Sequence, residues 1–289
     1  MADNIRDLRR RIRSVKNTSQ LTRAMKMVSA AKLRRAQESM MGARPYAHSL
    51  RRVLAEAAQR VRSEAHPLLV TREQKKVELI VIAGDKGLCG SFNVNVLRLA
   101  MQAIGRHRDA GREVRLVLVG RKTVDHFRRR PEHSAIERHS DVFRTFEYPV
   151  AASIGRGIQE RYLAGESDAA YLVYNEFKSA ISQTLVEQPL LPLGLLAEEE
   201  EQAKIEYIYE PSAAQLLQKL LPRFVAFQVY QAMLESIAAE HAARMAAMDA
   251  ATRNAEDMID RLTLIMNRAR QAAITTEIIE VVSGAEALG

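Results

Sequence analysis

Gly84, Gly87 and Gly90 fall within GDKGLCGSFN, Gly84–Asn93, between the apolar run VELIVIA and a helical pattern. Phosphate-binding turns occur at that place, because glycine lets backbone N–H groups approach an anion at a helix N-terminus. The residue order does not match one. GxxxxGK[ST] is absent, and glycines at 84, 87 and 90 do not make GxGxxG. A structural turn with glycine at positive φ is the plainer reading, and the isolated chain is expected to bind no nucleotide tightly. Cys89, the single cysteine, lies in the same turn with no candidate catalytic His nearby in sequence and reads as a packed thiol. The histidines show no metal-ligand spacing, and His241 reads as a helix-interface residue. Glu198–Glu201 is a run of like charge, which suits a solvated loop better than an acid–base pair. No catalytic, metal or cofactor constellation is expected.

The elements around that turn belong to an α/β unit. VELIVIA, a helix from about Asn93 to Gly105, and VRLVLVG form a strand–helix–strand pattern with an expected parallel pairing. A basic helix is expected near Arg121–Arg130, a short strand around Val142–Phe146, and a helix from Ala151 to Leu163. AAYLVYNEF and ISQTLVEQPLL then read as a hairpin at one side of the sheet.

The two ends of the chain have a different pattern. Ile5, Leu8, Ile12 and Val15 alternate spacings of three and four, the mark of a coiled-coil seam. The apolar pattern slips at Ser19 and resumes at Leu21, Met25 and Val28, as in a stutter. Gly42 and Pro45 mark a kink or break, followed by further helix to about Arg62. At the other end no glycine occurs between Pro211 and Gly284, and Pro222 should bend that helix near its start. About 70 helical residues would extend on the order of 100 Å, and such a helix needs a partner. Its seam is expected at Leu262, Ile265, Met266, Ala269, Ala272, Ala273, Thr276 and Ile279. The Ala-rich Ala238–Ala255 stretch suits a close helix pair. The expected fold is therefore α/β plus a long antiparallel α-helical coiled coil formed by the N- and C-terminal helices. Its boundaries are 1–62 for the first helix, 70–210 for a Rossmann-like middle domain and 211–289 for the long C-terminal helix.

Charge narrows the partner. The formal net charge is +8. Residues 1–62 hold sixteen Lys or Arg against four Asp or Glu, so the remainder is mildly acidic and the N-terminal helix should face an acidic surface. The longest apolar stretches are far shorter than the roughly 20 residues of a membrane-spanning helix. The Arg-rich start carries Asp3 and Asp7 and runs into helical periodicity, and is expected to belong to the mature chain.

Three ordered blocks carry a resemblance. IRDLRRRIRSVKNTSQLTRAMKMVSAAKLRRAQ, residues 5–37, is similar to the N-terminal signature of F-type ATP synthase gamma subunits. GDKGLCGSFN resembles that family's midchain turn, and residues 240–288 resemble its C-terminal block. The resemblance implies a non-catalytic rotor shaft of the central stalk, its coiled coil inserted into a ring of alternating alpha and beta subunits. The implied partners are the alpha, beta and epsilon subunits and the membrane c-ring, with no cofactor, no nucleic acid and no directly bound nucleotide. The implied location is peripheral, on the cytoplasmic face of a bacterial cell membrane. Met25 and Lys26, with Arg270, Gln271, Thr275 and Glu277, are expected to contact the catalytic ring. Tyr207, Tyr209 and Glu210, in YIYEP, are expected toward the membrane ring. The rival readings are a basic coiled-coil nucleic-acid binder, which lacks a reading motif, and a Rossmann-like nucleotide-binding enzyme, which lacks a fingerprint.

Overall fold

The computed structural model describes residues 2–60, 66–144, 146–180, 182–193 and 212–286. Contacts divide the chain into two units: residues 31–243, and residues 1–30 together with 244–289.

The larger unit is built on a five-stranded sheet. Its strands are β1 Lys76–Ile82, β2 Glu113–Val119, β3 Ser134–His139, β4 Ala169–Phe177 and β5 Gln183–Leu191, in the order β3-β2-β1-β4-β5. β1 runs parallel to β2 and β4, β2 parallel to β3, and β5 antiparallel to β4. The central strands are nearly all apolar because both faces are covered. Val77, Leu79 and Val81 face α2, Phe92–Asp109, and pack with Val96, Ala100 and Ile104. Ile80 and Ile82 face the other way. They share a core with Ile154, Ile158 and Tyr162 of α4, Tyr148–Leu163, and with residues of the two terminal helices, α1 Ala2–Arg60 and α5 Ala213–Glu286. α3, Arg121–Arg128, follows β2. Pro189 lies in β5, an edge strand, where a missing N–H costs no ladder bond if it points outward.

One expectation fails here and a second is narrowed. The strand predicted at Val142–Phe146 is instead formed by Ser134–His139. β3 is an edge strand whose residues are only partly buried, so it lacks a strong apolar signature. Val142, Phe143 and Phe146 are apolar because they pack onto the core from a loop, Phe146 stacking on Tyr230 at 5.4 Å. Of the kink or break expected at Gly42 and Pro45, no break forms, since α1 runs through both. Pro45 is exposed, so the carbonyl it leaves unpaired can turn to water. Around it the helix is held by tertiary packing: Tyr46 lies against Phe227 at 5.2 Å, and Leu50, Leu54 and Ala57 enter the core. Pro222 likewise sits inside α5, where its carbonyl accepts from Gln159 Nε2 at 3.0 Å.

One charge is placed inside this core. Glu78 of β1 is 0% exposed and takes a two-pronged contact from Arg161 of α4, with Nε at 2.8 Å and Nη2 at 3.1 Å. Arg161 Nη1 also donates to Glu137 of β3 at 2.7 Å. The ion triad therefore ties α4 to two strands.

The smaller unit consists of the first turns of α1 and the last of α5, which pair antiparallel. Arg23 bonds Glu256, Thr22 meets Thr252, and Lys26 bonds Asp249, so α5 numbers fall as α1 numbers rise.

Candidate functional site

The α1 seam in the two-helix unit differs from the predicted one. Leu8 is buried, Ile5, Ile12 and Val15 are half-buried, and the series continues with Ser19 and Thr22, half-buried Lys26, and Ser29. That is an unbroken alternation of three and four. There is no stutter, because hydroxyl side chains occupy seam positions where an apolar residue was expected. The predicted continuation lies outside: Leu21 is 61% exposed and Val28 57%. Met25 is half-buried at the border between the two faces.

The hydroxyls of Thr22, Ser29 and Thr252 are satisfied locally and across the pair. Thr22 and Thr252 oxygens lie 2.7 Å apart, Thr252 Oγ1 is 2.8 Å from Met248 O, and Ser29 donates to Met25 O at 2.8 Å. Lys26 Nζ reaches Asp249 Oδ1 at 2.5 Å, and Arg253 reaches Oδ2 at 3.1 Å. Asp249 is thus held by two cations, and the hydrogen bond from Lys26 lowers its carboxyl below the ordinary Asp value. A carboxyl with a depressed folded value adds stability above its unfolded value, and that stability is lost as pH falls through the folded one. In thermal melts of the full chain, Lys26→Met should therefore lower Tm at neutral pH, by a difference that shrinks below about pH 4, where Asp protonates. A difference constant down to pH 2.5 would argue against the pair.

On α5 the positions that repeat at alternating four and three, Met248, Thr252, Ala255, Ile259, Leu262, Met266, Ala269, Ala273 and Thr276, are all buried or half-buried, flanked by half-buried Asp249, Ala251, Thr263 and Asn267. Ile265, Ala272 and Ile279, which were also expected in the seam, are exposed, because a 3.5-residue repeat makes a narrower stripe than a 100° sector drawn on the sequence. Arg270, Gln271, Thr275 and Glu277 are all exposed, together with Ile274 at 47% and Ile278 at 58%. Apolar and charged groups thus share one open helix surface. Tyr207, Tyr209 and Glu210 lie outside the described residues.

The Gly84–Asn93 turn, in the larger unit, is closed by its own side chains. Asn93 Oδ1 accepts from Gly84 N–H at 2.9 Å, and its Nδ2 donates to Lys86 O at 3.0 Å and to Cys89 Sγ at 3.1 Å. Cys89 is buried with Phe92 against Ala239 of α5. Positive φ occurs at Gly90 and at Leu88, but Gly84 is glycine for another reason. A Cβ there would lie 2.7 Å from the carboxyl carbon of Glu240, so the turn's first residue is fitted to an acidic side chain. A carboxylate in that place opposes a phosphate. Asp85 fixes the neighbouring loops by accepting three backbone N–H groups, from Arg121, Asp141 and Phe143. Asn93, Glu240, Asp249 and the Thr22–Thr252 pair were not singled out from the sequence. Only the spacing of Thr22 from the apolar seam could have signalled any of them. Among the described residues no cluster of His, Cys, Asp and Glu could hold a metal ion, and no helix is long and apolar enough to cross a membrane.

Comparison with known proteins covers the whole chain. The family described as ATP synthase matches residues 4–288. An ATP synthase gamma chain from Pelotomaculum thermopropionicum is 52% identical over 285 residues, and one from Geobacter sp. strain M21 is 47% identical over 285 residues, each alignment covering 99% of both proteins. Among solved structures, a chain of the Tetrahymena thermophila mitochondrial ATP synthase central stalk and c-ring aligns with a TM-score of 0.61 and 27% identity, over 80% of this chain and 99% of that one. A chain of the Euglena gracilis mitochondrial ATP synthase F1 and c-ring assembly aligns with a TM-score of 0.70 over 100% of this chain and 95% of that one, at 19% identity, a likeness of fold.

Proposed function

This chain belongs to the ATP synthase gamma-chain family, and we propose that its two-helix unit is the part that meets the catalytic ring. It is the non-catalytic central-stalk rotor subunit, which couples ion flow to ATP synthesis or hydrolysis by rotation. Bond chemistry is left to other subunits. A charge crossing the membrane releases about 2.3 kcal/mol per 100 mV, so several ion steps must be summed through a stiff connection to drive one synthesis event. An asymmetric helix pair can deliver that sum by offering a different face to each catalytic subunit in turn, biasing its open or closed state.

The finer reading assigns alpha and beta subunits to Met25, Lys26, Arg270, Gln271, Thr275 and Glu277. It assigns the c-ring to Tyr207, Tyr209 and Glu210, adds an epsilon subunit, and locates the chain on the cytoplasmic face of a bacterial membrane. The observation that carries the ring contact is the α5 surface on which Ile274 and Ile278 stand exposed among four polar residues. Solvated helix faces are more uniformly polar. The rival nucleic-acid and nucleotide-enzyme readings offer no account of that face or of the full-length family match.

The test is made in the assembled ATP synthase. A cysteine at Ile278 should cross-link to alpha or beta subunits, whereas one at Ala273, in the seam, should not. Equal failure at both positions would overturn the reading. Met25→Lys adds a long cation at the border of the α1 seam, and is expected to reduce ion pumping per ATP hydrolysed while leaving assembly intact. Unchanged coupling would assign Met25 to packing alone.

A further inference from the structure

Between Ser19 and Ser29, α1 offers two seams. Leu21, Met25 and Val28 repeat at four and three, and so do Thr22, Lys26 and Ser29, one residue step or about 100° around the helix. Removal of apolar area from water favours the first set. The protein buries Thr22 and Ser29 and half-buries Lys26, leaving Leu21 and Val28 in the open with Met25 at the border. In this interval no apolar α1 side chain is buried, so a contact specific to the observed phase must outweigh the hydrophobic preference.

The cross-helix contacts have that property. Thr22 to Thr252, Lys26 to Asp249 and Arg23 to Glu256 all exist only while these α1 residues face α5. The hydroxyl pair has a further feature. Thr22 Oγ1 lies 3.0 Å from Ser19 O, Thr252 Oγ1 lies 2.8 Å from Met248 O, and the two oxygens lie 2.7 Å apart. Three contacts share two hydroxyl hydrogens. Either Thr22 donates to Thr252 and Thr252 to Met248 O, or Thr252 donates to Thr22 and Thr22 to Ser19 O. Both arrangements join the helices and satisfy a carbonyl. A polar pair in a seam fixes helix placement at a cost in packing, as a buried Asn does in other coiled coils.

We infer that Thr22, Thr252, Lys26 and Asp249 are positioning residues that hold α1 in this rotational phase, and thereby keep Leu21 and Val28 turned outward toward the alpha and beta subunits of the catalytic ring. The outward role rests on the ring-contact reading; the phase lock does not. The test uses the full chain with Cys89 replaced by Ala and single cysteines at Ser19, Leu21, Val28 or Ser29, scored by maleimide labelling rate. With the four positioning residues intact, Leu21→Cys and Val28→Cys should react faster than Ser19→Cys and Ser29→Cys. With Thr22, Thr252, Lys26 and Asp249 all replaced by Ala, that order should collapse or invert. Thr22→Ser with Thr252→Ser should keep it. An unchanged order in the Ala variant, at retained helical circular dichroism, overturns the lock. Should that variant unfold, Thr22→Ala with Thr252→Ala is read instead. A narrowed rate difference supports the lock, and an unchanged one overturns it. In the assembled complex, a collapsed order with normal coupling between hydrolysis and pumping would leave the lock standing and sink the outward-contact reading.

Discussion

Arg161→Met is expected to cost about 3–5 kcal/mol of stability, because it strands a fully buried carboxylate in the core. Glu78 is 0% exposed, and burial already pushes its carboxyl above the ordinary Glu range even with Arg161 in place. Without the guanidinium, the value should climb further. The sign follows from linkage. An acid whose folded value is raised destabilises above its unfolded value, and that penalty fades as pH falls and the folded form takes up a proton. The deficit in urea denaturation of the full chain should therefore be largest near neutral pH and shrink toward pH 5. Converting the pair to apolar residues, Glu78→Leu with Arg161→Met, should recover most of the loss. A deficit independent of pH would show that Arg161 acts through packing rather than through Glu78. The stake extends beyond the sheet, since α4 carries Arg161 on one face and α5 on another. Gly155 of α4 admits no Cβ, which would lie 2.9 Å from Ala226 Cα of α5. The triad thus fixes the helix that seats α5 on the α/β core.

What could be read from the sequence follows the strength of burial. β1 and β2 are covered on both faces, so VELIVI and VRLVLV announce themselves as continuous apolar runs, and the hairpin of β4 and β5 follows from β-prone segments flanking a short turn. The edge strand β3 was missed because half-burial leaves a polar pattern, and the aromatic residues nearby serve the core from a loop. Pro45 makes no break because a proline breaks a helix only when the lost hydrogen bond outweighs the packing on either side, and here Leu50 and Leu54 are in the core. The α1 seam shows the same limit. Thr22 and Ser29 are compatible with burial because their hydroxyls bond to a backbone carbonyl or to Thr252, partners that lie a turn away or more than two hundred residues distant. Hydrophobicity along the chain carries no trace of a hydrogen-bond partner on another helix. The exposure of this α5 face was legible for the opposite reason: Arg270, Gln271, Ile274, Thr275, Glu277 and Ile278 all fall off the three-and-four repeat of the seam.

Replacing Arg270, Gln271, Thr275 and Glu277 together with Ala should preserve helix and assembly while lowering steady-state ATP hydrolysis of the complex by roughly tenfold, equivalent to about 1.4 kcal/mol on the limiting step. Stability should hold because all four side chains are exposed and Ala is the best helix former. The one local bond lost is that from Thr275 Oγ1 to Gln271 O, at 3.0 Å within the helix. The kinetic loss is expected because these groups can exchange hydrogen bonds and ion pairs with ring loops at particular rotation angles, lowering the barrier between them. Each such contact must be modest, since a pair too strong at one angle would become a trap that the next step has to break. The loss should therefore appear only with the set: single replacements are expected to change the rate little, and Ile274 and Ile278 remain to keep the helix against its partner. Full activity with normal ion coupling in the fourfold variant would identify this surface as a solvated edge, and would move the site of torque transfer to the α1 face that carries Leu21, Met25 and Val28.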